Sequence, residues 1–277
     1  MALPKPGQTR DTSQEPSQPV QAPARKKVAV KAPAFVRATS IVKPRLIVNI
    51  QGPEKTGKDH MGFSFTGGPI YVHSMDQGLE GVVQKFQNTR EIYTAEYELT
   101  IQPGEASERE VGEAADVVWE QFKANYRDSL ASTRDSGLVV IDTGTEAWEL
   151  LRLASFGKLT QVMPHHYSKP NAEFRDLVRE GYDASNVVWI HKMKDEWENY
   201  IDSKGQEKGR RTGNKKAMMM NDIPFLVQCN VQTWSEQREG GGTDFHATVI
   251  DCRLNPELAG MTIDNDLDQL IMLATQV

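Results

Sequence analysis

Leu46-Ile47-Val48-Asn49-Ile50 runs into Gly52-Pro53-Glu54-Lys55-Thr56-Gly57-Lys58-Asp59-His60, so an apolar, β-branched stretch is followed at once by a glycine-bounded turn carrying a lysine. The first part reads as a buried parallel strand, because a strand covered on both faces stays apolar throughout. The second part matches the phosphate-loop pattern G-x-x-x-x-G-K-[ST] at every position except the last. Glycine lets backbone N–H groups turn inward around phosphate oxygens, and a helix starting beside Lys58 adds its positive end. Gly52 to His60 is therefore the expected nucleotide-binding segment, with Lys58 reaching the β- and γ-phosphates of ATP.

The exception is Asp59, where the pattern calls for a hydroxyl on Mg²⁺. A carboxylate about 4 Å from a phosphate charge, at an effective dielectric of about 20, opposes binding by about 4 kcal/mol. A directly bound Mg²⁺ reverses that sign, because it favours carboxylate oxygen. The sequence thus predicts either an unusually metal-dependent site or weak hydrolysis. The second element is Val139-Val140-Ile141-Asp142-Thr143, an apolar strand ending in a carboxylate that holds Mg²⁺ or its water. Asp59 and Asp142 are the expected metal ligands. Glu146 reads as a solvated helix position, with a place behind the metal as the alternative.

Working outward, Pro69–His73, Leu138–Asp142 and Asn186–His191 read as further strands, and Glu91–Ile101 as an edge strand. Residues 79–88, 145–156, 171–181 and 265–274 read as helices. In Glu108–Ala131, Val111, Ala114, Ala115, Val118, Trp119, Phe122 and Tyr126 recur at steps of three and four, which predicts a long amphipathic helix. Phe225–Trp234 and Thr243–Arg253 read as a hairpin joined by Glu239-Gly240-Gly241-Gly242. Strands separated by helices indicate an α/β fold with a mostly parallel sheet flanked by helices and a C-terminal β-hairpin.

The chain has 277 residues, with 38% apolar and 25% charged side chains, a mean hydropathy of −0.54 and a net charge of −6. No stretch approaches a membrane span and no secretory leader is evident, so a cytoplasmic protein without membrane contact is expected. Cys229 and Cys252 are too few for a disulfide framework and read as buried small side chains. Residues 1–44 hold seven of the fourteen prolines and are rich in Lys, Arg, Gln and Ser. Such a segment buries too little apolar surface to offset ordering entropy of about 1–2 kcal/mol per residue, so a disordered basic tail is expected before a domain at 45–277.

The phosphate loop, Pro69-Ile70-Tyr71-Val72, Asp76-Gln77-Gly78-Leu79-Glu80-Gly81-Val82, Val140-Ile141-Asp142-Thr143-Gly144-Thr145-Glu146-Ala147-Trp148 and Val188-Trp189-Ile190-His191-Lys192-Met193-Lys194 together resemble phage-encoded AAA-type ATP-binding proteins. These belong to the RecA-like group of P-loop NTPases that includes the Sak-type single-strand annealing and recombination proteins. The resemblance covers about residues 45–255. It implies a RecA-like core, ATP and Mg²⁺ as cofactors, and ATP hydrolysis coupled to DNA recombination or single-strand annealing.

It also implies roles for particular residues. Asp76, with Glu80 in reserve, would polarise the attacking water, unless Asp76 caps the helix starting near Gly78. His191 would sense the γ-phosphate. In RecA-like proteins the loops after that strand touch single-stranded DNA or a neighbouring subunit's nucleotide. The basic stretch 203–216, with Lys208, Arg210, Arg211, Lys215 and Lys216, is the matching segment; a solvated surface loop is the plain alternative. The implied partners are single-stranded DNA, further copies of the chain and a single-strand-binding protein, in the cytoplasm of an infected bacterium. Two other readings stay open. One is a nucleotide-binding assembly module with little hydrolysis; the other is a small-molecule phosphotransferase closed by Arg210 and Arg211.

Overall fold

Strand β1 (Ile47–Gly52) is apolar because neighbours pair with it on both sides and side chains cover both of its faces. The computed structural model describes residues 45–76, 78–79, 81–101, 104–158, 162–183 and 186–275. The tail expected at 1–44 and the reserve carboxylate Glu80 lie outside the described residues. After β1 come α1 (Lys58–Phe63), β2 (Ile70–Ser74), α2 (Val82–Phe86), β3 (Ile92–Glu96), α3 (Glu108–Ser132), β4 (Leu138–Asp142), α4 (Gly144–Phe156) and α5 (Ser168–Glu180). Then follow β5 (Asn186–Ile201), β6 (Glu207–Ala217), α6 (Ile223–Leu226), β7 (Cys229–Gln237), β8 (Thr243–Cys252), β9 (Thr262–Asp264) and α7 (Leu267–Thr275).

The sheet runs in the order β3-β2-β4-β5-β1-β7-β8-β9, parallel from β3 to β7, with β8 and β9 added antiparallel. The loop strand β1 and the Asp142 strand β4 are thus separated by one inserted strand, β5. Alternation along the strands sends Val48, Ile50, Val72 and Val140 to a core with α1 and α7. Ile47, Val139, Ile141 and Trp189 face a second core with α3, α4 and α5. Helix α3 starts at a capping box, in which Ser107 Oγ accepts from Glu110 N while the Glu110 carboxylate accepts from Ser107 N. Its buried stripe, Val111, Ala115, Trp119, Phe122 and Tyr126, is the face predicted from spacing. No helix among the described residues is long and apolar enough to cross a membrane.

The C-terminal third corrects the sequence reading. Phe225 sits in α6, so the hairpin begins only at Cys229, and β9 adds a strand that the sequence did not suggest. Strand β5 does not stop at His191 but continues to Ile201. The basic stretch read as a loop is mostly β6, which pairs antiparallel with the distal part of β5. From Met193 onward this ribbon has no other strand beside it among the described residues. With no face against a core it carries charges on both sides, and no apolar alternation marks it as a strand.

Candidate functional site

The loop between β1 and α1 is held in shape from behind. Thr56 Oγ1 bonds the Pro53 carbonyl at 2.9 Å and the Thr233 hydroxyl at 2.7 Å, and Asn265 Nδ2 donates to the Gly57 carbonyl at 2.7 Å. Gly57 adopts φ of 81°, a conformation that disfavours a side chain, and a Cβ there would lie 2.7 Å from Asn265 Nδ2. A Cβ at Gly52 would meet Thr233 Oγ1 at 2.3 Å, so both glycines of the motif are sterically required. No side chain caps Gly57, which leaves the first N–H groups of α1 without intrahelical acceptors. The Lys58 ammonium folds over the loop and donates to the carbonyls of Pro53 at 2.7 Å and Gly52 at 3.2 Å.

Gly52, Glu54, Lys55, Lys58 and Asp59 line one side of a cleft of about 340 Å³; Asp76, Gly78, Asp142, Thr143, Lys192, Met193 and Met218 complete it. Lys58, Asp59, Asp76 and Asp142, read from three separate places in the chain, therefore meet. The site sits where the C-terminal ends of parallel strands open, as ligand crevices of such sheets do. Four carboxylates and three ammonium groups line it. Burial, with repulsion from Asp59 and Asp76 added, pushes the Asp142 carboxyl well above the usual carboxylate range, beyond what Lys58 and Lys192 offset. Burial likewise raises Asp59, against the pull of Lys58, and lowers Lys58 despite its acidic neighbours.

This donor set fits a hard divalent cation, since a dication relieves the desolvation and mutual repulsion of Asp59 and Asp142. Among the described residues no three His, Cys, Asp or Glu side chains form a ready-made metal site. An ion here would draw its other ligands from phosphate, water and neutral oxygens, as Mg²⁺ usually does.

Lys192 is the residue whose importance the sequence did not signal. Its Nζ lies 2.8 Å from Glu146 Oε1 and 3.1 Å from Asp76 Oδ2. Burial works against this ammonium, but the bonds to Glu146 and Asp76 prevail and raise its pKa. Glu146 is thus an ion-pair partner rather than a solvated helix position. Asp76 Oδ1 accepts from Gly78 N at 3.2 Å, closing a turn ahead of α2, whose own N-cap is Gly81, while Oδ2 is held by Lys192. The Lys192 backbone is fixed as well. Its N–H donates to Thr145 Oγ1, its carbonyl accepts from Met218 N, and Thr145 Oγ1 donates to the Met218 carbonyl.

His191 is not among the cleft-lining residues, so the structure does not bring the expected γ-phosphate sensor to the site. Its ring is fully buried, with Nδ1 2.7 Å from Asn49 Oδ1 and a pKa lowered to about 3 by burial. Because Asn49 Nδ2 donates to Asn230 Oδ1, Asn49 Oδ1 is the acceptor and the neutral imidazole carries its proton on Nδ1. A Cβ at Gly144 would lie 2.6 Å from Nε2, so the ring and α4 are tightly apposed. His60 also points away from the cleft, edge-on to Phe86 with ring centroids 4.9 Å apart.

Nor do Lys208, Arg210, Arg211, Lys215 and Lys216 line the cleft. They stand on β6, where Lys208 pairs with Asp202, Arg210 with Glu198 and Arg211 with Asp195. Arg210 lies over the Tyr200 ring and Arg211 over the Trp197 ring, at 5.2 and 5.3 Å from the centroids. The acidic residues of β5 thus neutralise much of what looked like a free basic patch. A lid formed by Arg210 and Arg211 loses its geometric support.

No family model matches the chain, and no curated protein matches it. Among solved structures it is similar to an ATPase from the type III secretion system of pathogenic bacteria, at 11% identity over 68% of this chain and 51% of that chain, with a TM-score of 0.34. It is also similar to the protein PH0321 from Pyrococcus horikoshii, solved with an unknown peptide, at 11% identity over 76% of this chain and 85% of that one, with a TM-score of 0.36. The chain therefore spans about half the length of the secretion ATPase. The sheet order, the loop and the cleft are compatible with a P-loop nucleotide-binding fold on their own geometry.

Proposed function

We propose that the chain is a RecA-like ATP-binding protein that hydrolyses Mg·ATP and works, as an oligomer, in DNA recombination or single-strand annealing. The observation that carries the nucleotide reading is the meeting of the Gly52–Asp59 loop, Lys58 and Asp142 around one cleft. In this reading the loop N–H groups and Lys58 hold the phosphates, and Asp59 and Asp142 hold Mg²⁺, which neutralises phosphate charge. Asp76 orients water once it is drawn away from Lys192. Catalysis of this kind is mostly positioning and charge stabilisation. The DNA part is supported by the exposed rings of Trp197 and Tyr200 and by Lys194, Lys215 and Lys216, which have no acidic partner within 4 Å among the described residues.

The test is Mg²⁺-dependent phosphate release with and without single-stranded DNA, for the parent and Lys58→Ala. The variant should lose activity by about 10²–10³-fold, the scale of one preorganised charge donor. Equal turnover by parent and variant would refute the reading. A second reading, a nucleotide-binding assembly module with little hydrolysis, is favoured by the engagement of Asp76 with Lys192 at 3.1 Å. Robust turnover by the parent removes it.

A further inference from the structure

We propose that Ser74 Oγ supplies the hydroxyl ligand to the divalent cation that position 59 lacks. The inference rests on the Mg-nucleotide reading above and names a residue that no phosphate-loop pattern contains. Ser74 ends β2 and is the register partner of Asp142 in the parallel β2–β4 pair. Side chains alternate along strands, so Ser74 shares a face with Ile70 and Val72, and Asp142 with Leu138 and Val140. All four apolar residues belong to the core that contains Met61 and Phe63 of α1. A Cβ at Gly62 would sit 3.6 Å from the Val140 side chain. One helical turn earlier, α1 carries Asp59 toward the strand end where Asp142 stands. Asp59 and Asp142 thus line the cleft together, and Ser74, which does not itself line it, stands directly beside Asp142 on the same face of the sheet.

The Ser74 hydroxyl itself points to a ligand. Ser74 is 1% exposed, and its Oγ has no hydrogen-bond partner among the described residues. The buried hydroxyls of Thr56, Ser129, Thr133 and Thr145 are all bonded. Leaving such a group unpaired costs about 1–3 kcal/mol. A hard, neutral oxygen is also what this cleft needs. It completes the shell started by Asp59 and Asp142 without adding another negative charge beside a triphosphate.

The experiment measures the affinity of full-length protein for a fluorescent ADP analogue in Mg²⁺, in EDTA and in Cd²⁺, for the parent, Ser74→Ala and Ser74→Cys. Mn²⁺ binding in the presence of ADP is followed in parallel by electron paramagnetic resonance. The parent should bind nucleotide more tightly with Mg²⁺ than in EDTA. Ser74→Ala should lose about tenfold of that gain, the low end for removing a supporting ligand, with EDTA affinity unchanged. Ser74→Cys should recover the gain with thiophilic Cd²⁺ but not with Mg²⁺. A Ser74→Ala protein that keeps the parent's full metal gain and Mn²⁺ affinity overturns the assignment of Ser74 alone. A parent that binds no nucleotide, or binds it equally in EDTA, overturns the nucleotide reading and this inference with it.

Discussion

Trp189 and Trp197 stand on the same strand, β5, yet the first is 0% exposed and the second 57%. Around Trp189 the strand lies between β1 and β4, and the indole packs against Tyr126 and Phe174 with ring centroids 5.9 and 5.5 Å apart. Around Trp197 there is one partner strand, β6, and the ring is covered by Arg211. The proximal half is held by packing on both faces, the distal half by cross-strand pairing and surface ion pairs worth roughly 0–1 kcal/mol each. Lys192, which binds Asp76 and Glu146, marks the change from one regime to the other. The cleft is therefore built where a rigid support ends and an exposed ribbon begins. The sharpest way to break this contrast is Trp189→Ala, which should cost about 3–5 kcal/mol of unfolding free energy in a urea titration. A loss below about 1 kcal/mol would show that the proximal half is not core.

Lys192→Met sharpens the contrast at the boundary itself. It frees Asp76 and Glu146 while keeping much of the side chain's apolar volume. The expected outcome is a rise of about tenfold in turnover with a KM for Mg·ATP within about threefold, since the variant releases Asp76 to act on water and leaves the loop unchanged. If KM rises by the whole factor and turnover stays, Lys192 is a simple phosphate contact and the boundary has no special role.

How much of this was legible in the sequence follows the same division. The Gly52–Asp59 loop and the Asp142 strand end could be read because each is a local pattern, an apolar run closed by residues of fixed chemistry. The run Val187–Ile190 was legible for the same reason, but nothing in Lys192–Ile201 announces a strand, because its order comes from pairing with β6 across the intervening turn. The partners of Lys192 were hidden in the same way: Asp76 and Glu146 lie beyond the ends of other strands, joined to it only by the sheet order. The sensor role of His191 came from the family resemblance and not from its own surroundings, and the side chain does not line the cleft. Alternation instead turns it into the sheet's interior network with Asn49 and Asn230.

A smaller effect is expected where a charge is buried instead of a ring. Asp142 has its pKa raised well above the ordinary carboxylate value, chiefly by burial and then by Asp59 and Asp76. A carboxyl whose pKa is higher in the folded than in the unfolded state binds more protons when folded, so its contribution to stability falls as pH rises through that interval. Asp142→Asn removes the penalty. In metal-free buffer the variant should melt about 2–4 °C above the parent at pH 8, the shift of roughly 1 kcal/mol in a domain of this size. The difference should shrink as pH drops through about 4 and vanish below about pH 3, where both states of the parent hold the proton. A variant that melts lower than the parent at pH 8 would mean that the lysines, not burial, dominate the site.

The smallest effect belongs to the distal half. Trp197→Ala removes an exposed ring and its contact with Arg211, a pairing worth about 0.5–1 kcal/mol at an exposed site. Its urea midpoint should therefore stay close to the parent's, against the large loss at Trp189, and its affinity for Mg·ATP should not change because the ring lies outside the cleft. The same variant reports on the proposed contact with single strands. One base stacked on an aromatic ring contributes about 1–3 kcal/mol, so an arm that grips DNA through Trp197 should lose about 5- to 150-fold in affinity for a single-stranded oligonucleotide. Arg211 occupies one side of the ring, so a stacked base must take the other. If affinity is unchanged while salt still weakens binding steeply, Lys194, Lys215 and Lys216 hold the phosphates without the ring. If stability falls as far as in Trp189→Ala, the two halves of β5 are one cooperative unit and the division drawn at Lys192 fails.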